Sequence, residues 1–371
     1  MKIIVSGGGT GGHIYPALTI VRTIQAQHPE AEFLYVGTSK GLEADIISKE
    51  HLPFDTVDLQ GFERHLTLDN VRRAGRAMAG VMKAMRIVKK FHPDAAVGTG
   101  GYVCGPILLA ASLLHVPTLI QEQNVVPGIT NKILSKFVTK VAVGTPEAVS
   151  HFPAEKVVYT GNPIRREVLS ATREEGMKAF GFDPAQRTVL VSGGSRGARA
   201  INRAMVPVLA EAAKHPEVQY LLVTGKGEYD DIMARLRAAG VDLQQAPHIR
   251  VEPYLYNMPQ AQAMADLAVF RAGATGLAEL TARGIPSVLI PYPYAAENHQ
   301  EHNAKALEEA GAARMILNRE LTPERLSSVL TELLSEPEKL QQMAAASRQM
   351  GRPQAARTIA DMVIGLAESH Q

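Results

Sequence analysis

Much of what this sequence says comes from what it leaves out. Of 371 residues one is cysteine, Cys104, none is tryptophan, and aromatic residues make up 5%. A lone cysteine closes no internal disulfide and finds no cysteine partner for a metal site, which fits a reducing compartment and makes Cys104 a small core residue. Nucleic-acid binding calls for a basic face interleaved with stacking rings. With 39 Lys+Arg against 37 Asp+Glu and few aromatics, the chain has neither, and nucleic acid is set aside as a partner. No Asp-x-Asp occurs anywhere, so a carboxylate pair of that kind for a divalent ion is missing, and neither a metal nor another cofactor is expected. The apolar run Ile3-Ile4-Val5 is too short for a secretory signal. Ala95 to Gln121 carries no charged residue and is long enough to cross a bilayer, but Gly98, Gly100, Gly101, Gly105, Pro106 and Pro117 cut it into strand, loop, helix and strand.

What is present is a phrase used twice. Val5-Ser6-Gly7-Gly8-Gly9-Thr10-Gly11 returns as Val191-Ser192-Gly193-Gly194-Ser195-Arg196-Gly197, each time after an apolar run and before a helical stretch. Closely spaced glycines let the main chain approach a ligand, and the helix that follows offers N–H groups and a positive dipole end. Strand patterns at 2–5, 32–36, 55–59, 95–97, 118–120, 140–143 and 157–160 alternate with helical ones, and a second series runs 188–191, 219–223, 248–251, 267–270 and 287–290. Such alternation predicts βαβ units and parallel sheets covered on both faces. The expected organisation is a domain over 1–163, a domain over 164–343, and a helical segment over 344–371 able to pack back on the first, with two phosphate-friendly halves facing a shared cleft.

Gly7, Gly9 and Gly12 satisfy the spacing of dinucleotide-binding loops, which raises a nicotinamide or flavin enzyme. The acid that should close the second strand for a ribose is missing, since Phe33-Leu34-Tyr35-Val36 runs into Gly37-Thr38-Ser39. Instead His13 follows the loop directly. At the start of a helix the dipole disfavours imidazolium, so His13 is the favoured general base, with Glu122 as the alternative.

Six ordered motifs carry a resemblance. Gly7 to His13 with Ile14-Tyr15-Pro16-Ala17, Gly98 to Pro106, Glu122-Gln123-Asn124 with Pro127-Gly128, Gly161-Asn162-Pro163-Ile164-Arg165, Gly193 to Arg199, and Arg271-Ala272-Gly273-Ala274 with Glu279, Gln300 and Asn303 together span most of the chain. The pattern resembles the lipid-intermediate N-acetylglucosaminyltransferase family of bacterial peptidoglycan synthesis. The resemblance implies a GT-B type α/β glycosyltransferase: two Rossmann-like doubly wound parallel-sheet domains with a deep cleft between them. It implies transfer of N-acetylglucosamine from UDP-GlcNAc to the C4 hydroxyl of the muramoyl sugar in undecaprenyl-pyrophosphoryl-MurNAc-pentapeptide, with inversion in a single displacement. Its site residues carry over as follows. Ser195 would bind the diphosphate above a helix start formed by Ala274, Thr275, Gly276, Leu277 and Ala278, and Glu279 would accept the ribose hydroxyls. Arg165 and Leu255 would lie by the uracil, with Gln300 on a sugar hydroxyl. Thr10, Gly11, Gly12 and Asn124 would face the acceptor and reach the donor, with Gly100, Gly101 and Tyr102 completing the acceptor wall. A UDP-GlcNAc 2-epimerase of the same architecture and a non-catalytic sugar-nucleotide-binding subunit stand as alternatives.

Between Arg72 and Lys90 lie seven basic residues and no acid, with Met78, Val81, Met82, Met85 and Val88 at helical spacing. This reads as one helix with a packed apolar stripe and a basic face. With the lipid-linked acceptor it implies peripheral attachment to anionic lipid at the cytoplasmic face of the inner membrane.

Overall fold

The computed structural model describes residues 1–57, 69–194 and 196–370, with the backbone alone over 69–77. Two compact units divide it, Met1–Ile164 with Gln354–Gln371, and Arg165–Pro353.

In the first unit β1 (Lys2–Ser6), α1 (Gly11–Gln27), β2 (Glu32–Gly37), α2 (Leu42–Lys49), β3 (Phe54–Thr56) and α3 (Asp69–Phe91) are followed by β4 (Ala95–Gly98), α4 (Cys104–Leu113), β5 (Thr118–Glu122), α5 (Ile129–Leu134), β6 (Lys140–Val143) and β7 (Val157–Tyr159). All strands pair in parallel in the order β3-β2-β1-β4-β5-β6-β7. Side chains of β1 alternate between two cores, because successive strand residues point to opposite faces. Ile3 and Val5 pack with Ile14, Ala17 and Val21 of α1, while Ile4 packs with Ala84, Ile87 and Val88 of α3 and Ile107 and Leu108 of α4. The order reverses between β1 and β4, and at such a switch point the loops leaving the strands diverge and open a crevice for ligands. Both early glycine segments, 7–12 and 98–103, leave the sheet there.

The second unit contains α6 (Arg166–Ser170), α7 (Arg173–Phe180), β8 (Arg187–Ser192), α8 (Arg199–Ala212), β9 (Val218–Val223), α9 (Tyr229–Ala238), β10 (Ile249–Glu252), α10 (Met258–Met264), β11 (Leu267–Phe270), α11 (Ala274–Arg283), β12 (Ser287–Leu289), α12 (His299–Glu309), β13 (Ala313–Met315), α13 (Pro323–Ser335) and α14 (Pro337–Met350). Its parallel sheet runs β10-β9-β8-β11-β12-β13. The reversal falls between β8 and β11, below the glycine loop at 193–197 and the Gly273 start of α11.

Three expectations are corrected. The edge strand β13 was not anticipated, because three residues, Ala313-Arg314-Met315, are too few to show a period. The strand expected over 55–59 is β3, at Phe54–Thr56; Asp58 and Leu59 lie outside the described residues. The tail from 344 is not one segment. α14 packs against α11 and buries Leu340 and Met343 in the core of the second unit, the chain breaks at Gly351-Arg352-Pro353, and α15 (Ala355–Glu368) lays Ile359, Ala360, Val363 and Ile364 on α1 in the first unit. A proline cannot continue a helix and biases the residue before it to extended backbone, which puts the break there.

Candidate active site

The first switch point is built from interlocked loops. Gly8 N donates to Gly100 O (3.3 Å), and Thr99 Oγ1 donates to His13 O (2.7 Å). A side chain at Gly101, whose φ is +85°, would put its Cβ 2.3 Å from Gly8 O, so glycine is the residue that lets the loops touch. Tyr35 Oη donates to Gly7 O (2.6 Å) from β2, and Cys104 Sγ donates to Ser6 O (3.1 Å) and Gly100 O (3.0 Å) from the start of α4. Cys104 is fully buried, and burial pushes its thiol up to about 11.

His13 is the third residue of α1 and half-buried. Its Nδ1 lies 3.0 Å from Gly8 O and 3.4 Å from Thr10 Oγ1. A carbonyl oxygen only accepts, so Nδ1 carries the proton and Nε2 the lone pair. A Cβ at Gly100 would stand 2.9 Å from His13 Cδ2 and 3.1 Å from Nε2, so the second glycine loop seats the ring edge.

Glu122, the alternative base, is 1% exposed and fully committed. Oε1 accepts from Asn124 N (3.0 Å) and Asn124 Nδ2 (3.2 Å), and Oε2 from Gly128 N (3.1 Å) and Asn131 Nδ2 (2.9 Å). Four donors on one buried carboxylate hold the 124–128 turn, and with it Asn124, in place. Beneath it, Gln121 Nε2 donates to Asn162 Oδ1 (2.8 Å), and Gln123 Nε2 to Thr99 O (2.6 Å), tying the turn to the second glycine loop.

An acid that sequence reasoning passed over sits under the first loop. Glu43, at the second position of α2, is fully buried; Oε1 accepts from Thr38 N (3.0 Å) and Thr38 Oγ1 (2.7 Å), and Oε2 from Gly9 N (3.1 Å). Burial alone would push its carboxyl up, but the donors from Thr38 and Gly9 outweigh it and hold it below the usual carboxylate range. Side chains at Gly8, Gly37 or Gly41 would each strike Glu43. That cluster of glycines around one acid forms only in space, since Gly8 is far from Glu43 in sequence.

In the second unit Gly194 has φ +87° and Gly197 φ +74°, and a Cβ at Gly197 would stand 1.9 Å from Thr224 O. Ser195 lies outside the described residues. α11 starts at Gly273 with no side-chain cap and no acid in its first turn, and Thr275 Oγ1 there is buried without a partner. Such an uncapped helix start suits an anion. Glu279, two turns from the cap, is 5% exposed; Oε1 accepts from Arg165 Nη2 (3.0 Å) and Nε (3.3 Å), and Oε2 from Gln262 Nε2 (2.8 Å). The two residues expected at the nucleoside thus meet, with Gln262 as an unforeseen third. Gln300 Nε2 lies 3.9 Å from where a Gly273 Cβ would be, and Oε1 accepts from Tyr292 N (3.0 Å), so the expected sugar contact stands beside the α11 cap. Arg271 holds that region by donating to Ile290 O, Pro291 O and Asn318 Oδ1, and burial pushes its guanidinium down. Leu255 and Leu277 belong to the apolar core with Met177, Phe270 and Leu280, so their side chains face inward and only their main chain remains for a ligand.

Two parallel doubly wound units, each with a glycine loop at its switch point and one with an uncapped helix start above a buried carboxylate, define the GT-B class of glycosyltransferases. Residues 3–143 match the Glycosyltransferase family 28 N-terminal domain and residues 188–359 the Glycosyltransferase family 28 C-terminal domain. A protein of Listeria welshimeri named UDP-N-acetylglucosamine--N-acetylmuramyl-(pentapeptide) pyrophosphoryl-undecaprenol N-acetylglucosamine transferase is 48% identical over 99% of both chains. The crystal structure of Acinetobacter baumannii MurG is similar with TM-score 0.78 at 30% identity, covering 98% of this chain and 99% of that one. UDP-GlcNAc 2-epimerase from Neisseria meningitidis shares the fold, with TM-score 0.68 at 13% identity over 98% of this chain and all of that one. The chain belongs to glycosyltransferase family 28 and, within it, to the MurG family.

Proposed function

We propose that this chain transfers N-acetylglucosamine from UDP-GlcNAc to the C4 hydroxyl of the muramoyl sugar of undecaprenyl-pyrophosphoryl-MurNAc-pentapeptide. The names of its near-full-length relatives support the substrates. The observation that carries the chemistry is the His13 tautomer: with Nδ1–H spent on Gly8 O, Nε2 is the basic nitrogen. It takes the proton of the attacking hydroxyl as the C4 oxygen bonds to the anomeric carbon and the bond to the diphosphate breaks. An α-linked donor then gives a β-linked product, and UDP leaves with the electron pair. The uncapped start of α11 and the glycine loop after β8 receive the negative charge, in which N–H groups aimed at developing charge lower the barrier. Glu279 holds the ribose, Arg165 stands at the nucleoside, and Gln300 meets the sugar. Glu122, with both oxygens filled by four donors, is assigned to shaping the Asn124 turn rather than to proton transfer.

Attachment to the membrane surface belongs to the same proposal. Among the described residues no helix is long and apolar enough to cross a membrane. Met82 of α3, Leu113 of α4, and Ile129 and Ile133 of α5 are exposed on helices that pack in sequence, α3 on α4 and α4 on α5. Ile129 is 72% exposed. Lys83, Arg86, Lys89 and Lys132 are exposed on the same helices, with Lys136 exposed just past α5, a combination that binds anionic headgroups while inserting apolar side chains. Arg72, Arg73 and Arg76 lie where side chains are not described. Pelleting with vesicles containing anionic lipid at low salt, and release at high salt, is the expected result; no pelleting at low salt rejects the attachment.

The deciding assay is UDP release from UDP-GlcNAc with and without the muramoyl-pentapeptide lipid. Release that needs acceptor and yields a disaccharide lipid is expected. Release from donor alone would turn the reading to an epimerase or hydrolase, and UDP binding without release to a non-catalytic subunit.

A further inference from the structure

The contacts of Glu43 and His13 fall on one and the same peptide group. The Gly9 N–H donates to Glu43 Oε2 at 3.1 Å, and on the other side of that trans peptide the Gly8 carbonyl faces His13 Nδ1 at 3.0 Å. We propose that Glu43 is a positioning residue for the base, acting through the Gly8–Gly9 peptide as a carboxylate–peptide–imidazole relay. The proposal rests on the reading of His13 as the base. A carboxylate drawing on the N–H of an amide adds negative charge to its oxygen, and hydrogen bonds linked this way strengthen one another in a low-dielectric interior. The oxygen then grips Nδ1–H more firmly, fixes the tautomer, and favours the imidazolium that forms when Nε2 takes a proton. A third group that orients a base is a recurrent arrangement in catalysis, here with a peptide inserted between acid and imidazole.

Glu43 is suited to the part. It is fully buried, its carboxyl is held below the usual range, and its remaining oxygen is anchored by both donors of Thr38. Gly9, at φ +81°, turns its N–H onto the acid through a conformation other residues avoid. Among the described residues the titratable groups around the ring and its loop include Cys104 from α4, Tyr35 from β2, Tyr15 from α1, Tyr102 from the second glycine loop, and Glu122 from β5, the last reached through Asn131. Cys104 and Tyr35 are pushed up by burial and stay neutral near pH 7, and the Glu122 carboxylate is committed to its own turn.

The test is nitrogen-15 NMR of histidine-labelled full-length protein, the His13 signal being assigned by its loss in His13→Gln. In wild type the neutral ring should carry its proton on Nδ1. In Glu43→Gln, which keeps the shape and removes the charge, the His13 pKa should fall by about 0.5 to 1. The acid limb of the kcat/KM profile for transfer should move to lower pH with it, and kcat should drop on the order of threefold to thirtyfold as the base weakens. Thr38→Val, which withdraws one donor from Glu43 and leaves its charge, should keep the titration near wild type. A neutral ring protonated on Nε2 overturns the relay without any variant. So does a Glu43→Gln titration that does not move, or an equal movement in both variants, which would make the effect one of loop packing. Full transfer activity in His13→Gln would instead sink the reading of His13 as base, while the titration still decides the relay.

Discussion

After β1 the glycine loop lies over a buried carboxylate, with the Gly9 N–H turned onto Glu43 and a histidine one turn into the helix. After β8 the loop of the same wording lies against the main chain at Thr224 and Gly225, carries Arg196 and leads to Arg199, and among the described residues gives no N–H to a carboxylate. A phosphate brought to the first loop would face a like charge behind the peptide it needs. At the second it would meet cationic side chains and helix N–H groups. Glycine spacing therefore says that the backbone is meant to come close to something; the charge beneath the loop says what. On the proposed reading the first loop holds an imidazole at work on a hydroxyl and the second holds an anion.

The comparison breaks most visibly at His13. His13→Gln should lower kcat by roughly 10²- to 10⁴-fold, the range of a positioned base, while calorimetric affinity for UDP stays within about threefold. Equal losses in both would mean the two loops share a task. Next in size is a pair of glycines in the second loop. Gly197→Ala places a Cβ 1.9 Å from Thr224 O at a φ of +74°, and should cost about 3 kcal/mol or more in thermal or denaturant unfolding. Gly194→Ala, at φ +87° with nothing within 4 Å, should cost only about 1 kcal/mol. Similar costs at the two would show that the loop does not depend on its contact with Thr224.

The fold was largely legible because its signals are local. Apolar runs before Gly7, Gly98 and Gly193 mark strand ends, and alternation at this spacing admits little besides parallel sheets. What stayed hidden depends on contacts distant in sequence. Glu43 reads as a solvated acid at the start of a helix until Gly8, Gly37 and Gly41 are seen to close around it. Glu122 reads as a possible base until four donors fill it. Gln262 lies in a helix of ordinary composition and gains meaning through Glu279, and Leu255 reads as a ligand contact until its side chain is found in the core. β13, three residues long, shows no period of its own and is set by its pairing with β12.

Glu279→Ala sharpens the donor side of the comparison. It removes the acceptor of Arg165 and Gln262 and leaves a half-buried guanidinium unpaired, so UDP affinity should weaken by about 10- to 100-fold with the acceptor KM little changed. A loss confined to the acceptor KM would move Glu279 out of the nucleoside site.

The smallest effect belongs to the thiol beneath the first loop. Cys104 donates to Ser6 O and Gly100 O, and burial raises its pKa from 9.0 to about 11. An acid whose folded pKa is raised binds more protons folded than unfolded in the interval between the two values. Its contribution to stability is therefore whole below pH 9 and is lost as pH rises toward 11. By pH 10 the loss amounts to about 1.4 kcal/mol, and by that pH Tyr35 and Tyr220, also pushed up by burial, have begun to add to it. Denaturant unfolding of wild type and Cys104→Ala at pH 8 and pH 10 isolates the thiol, since the tyrosines are common to both. The gap between the two proteins should narrow by about that 1.4 kcal/mol on going to pH 10. A constant gap would mean that the thiol ionises in place with no penalty from its burial, and that the first loop tolerates a second negative charge beside Glu43.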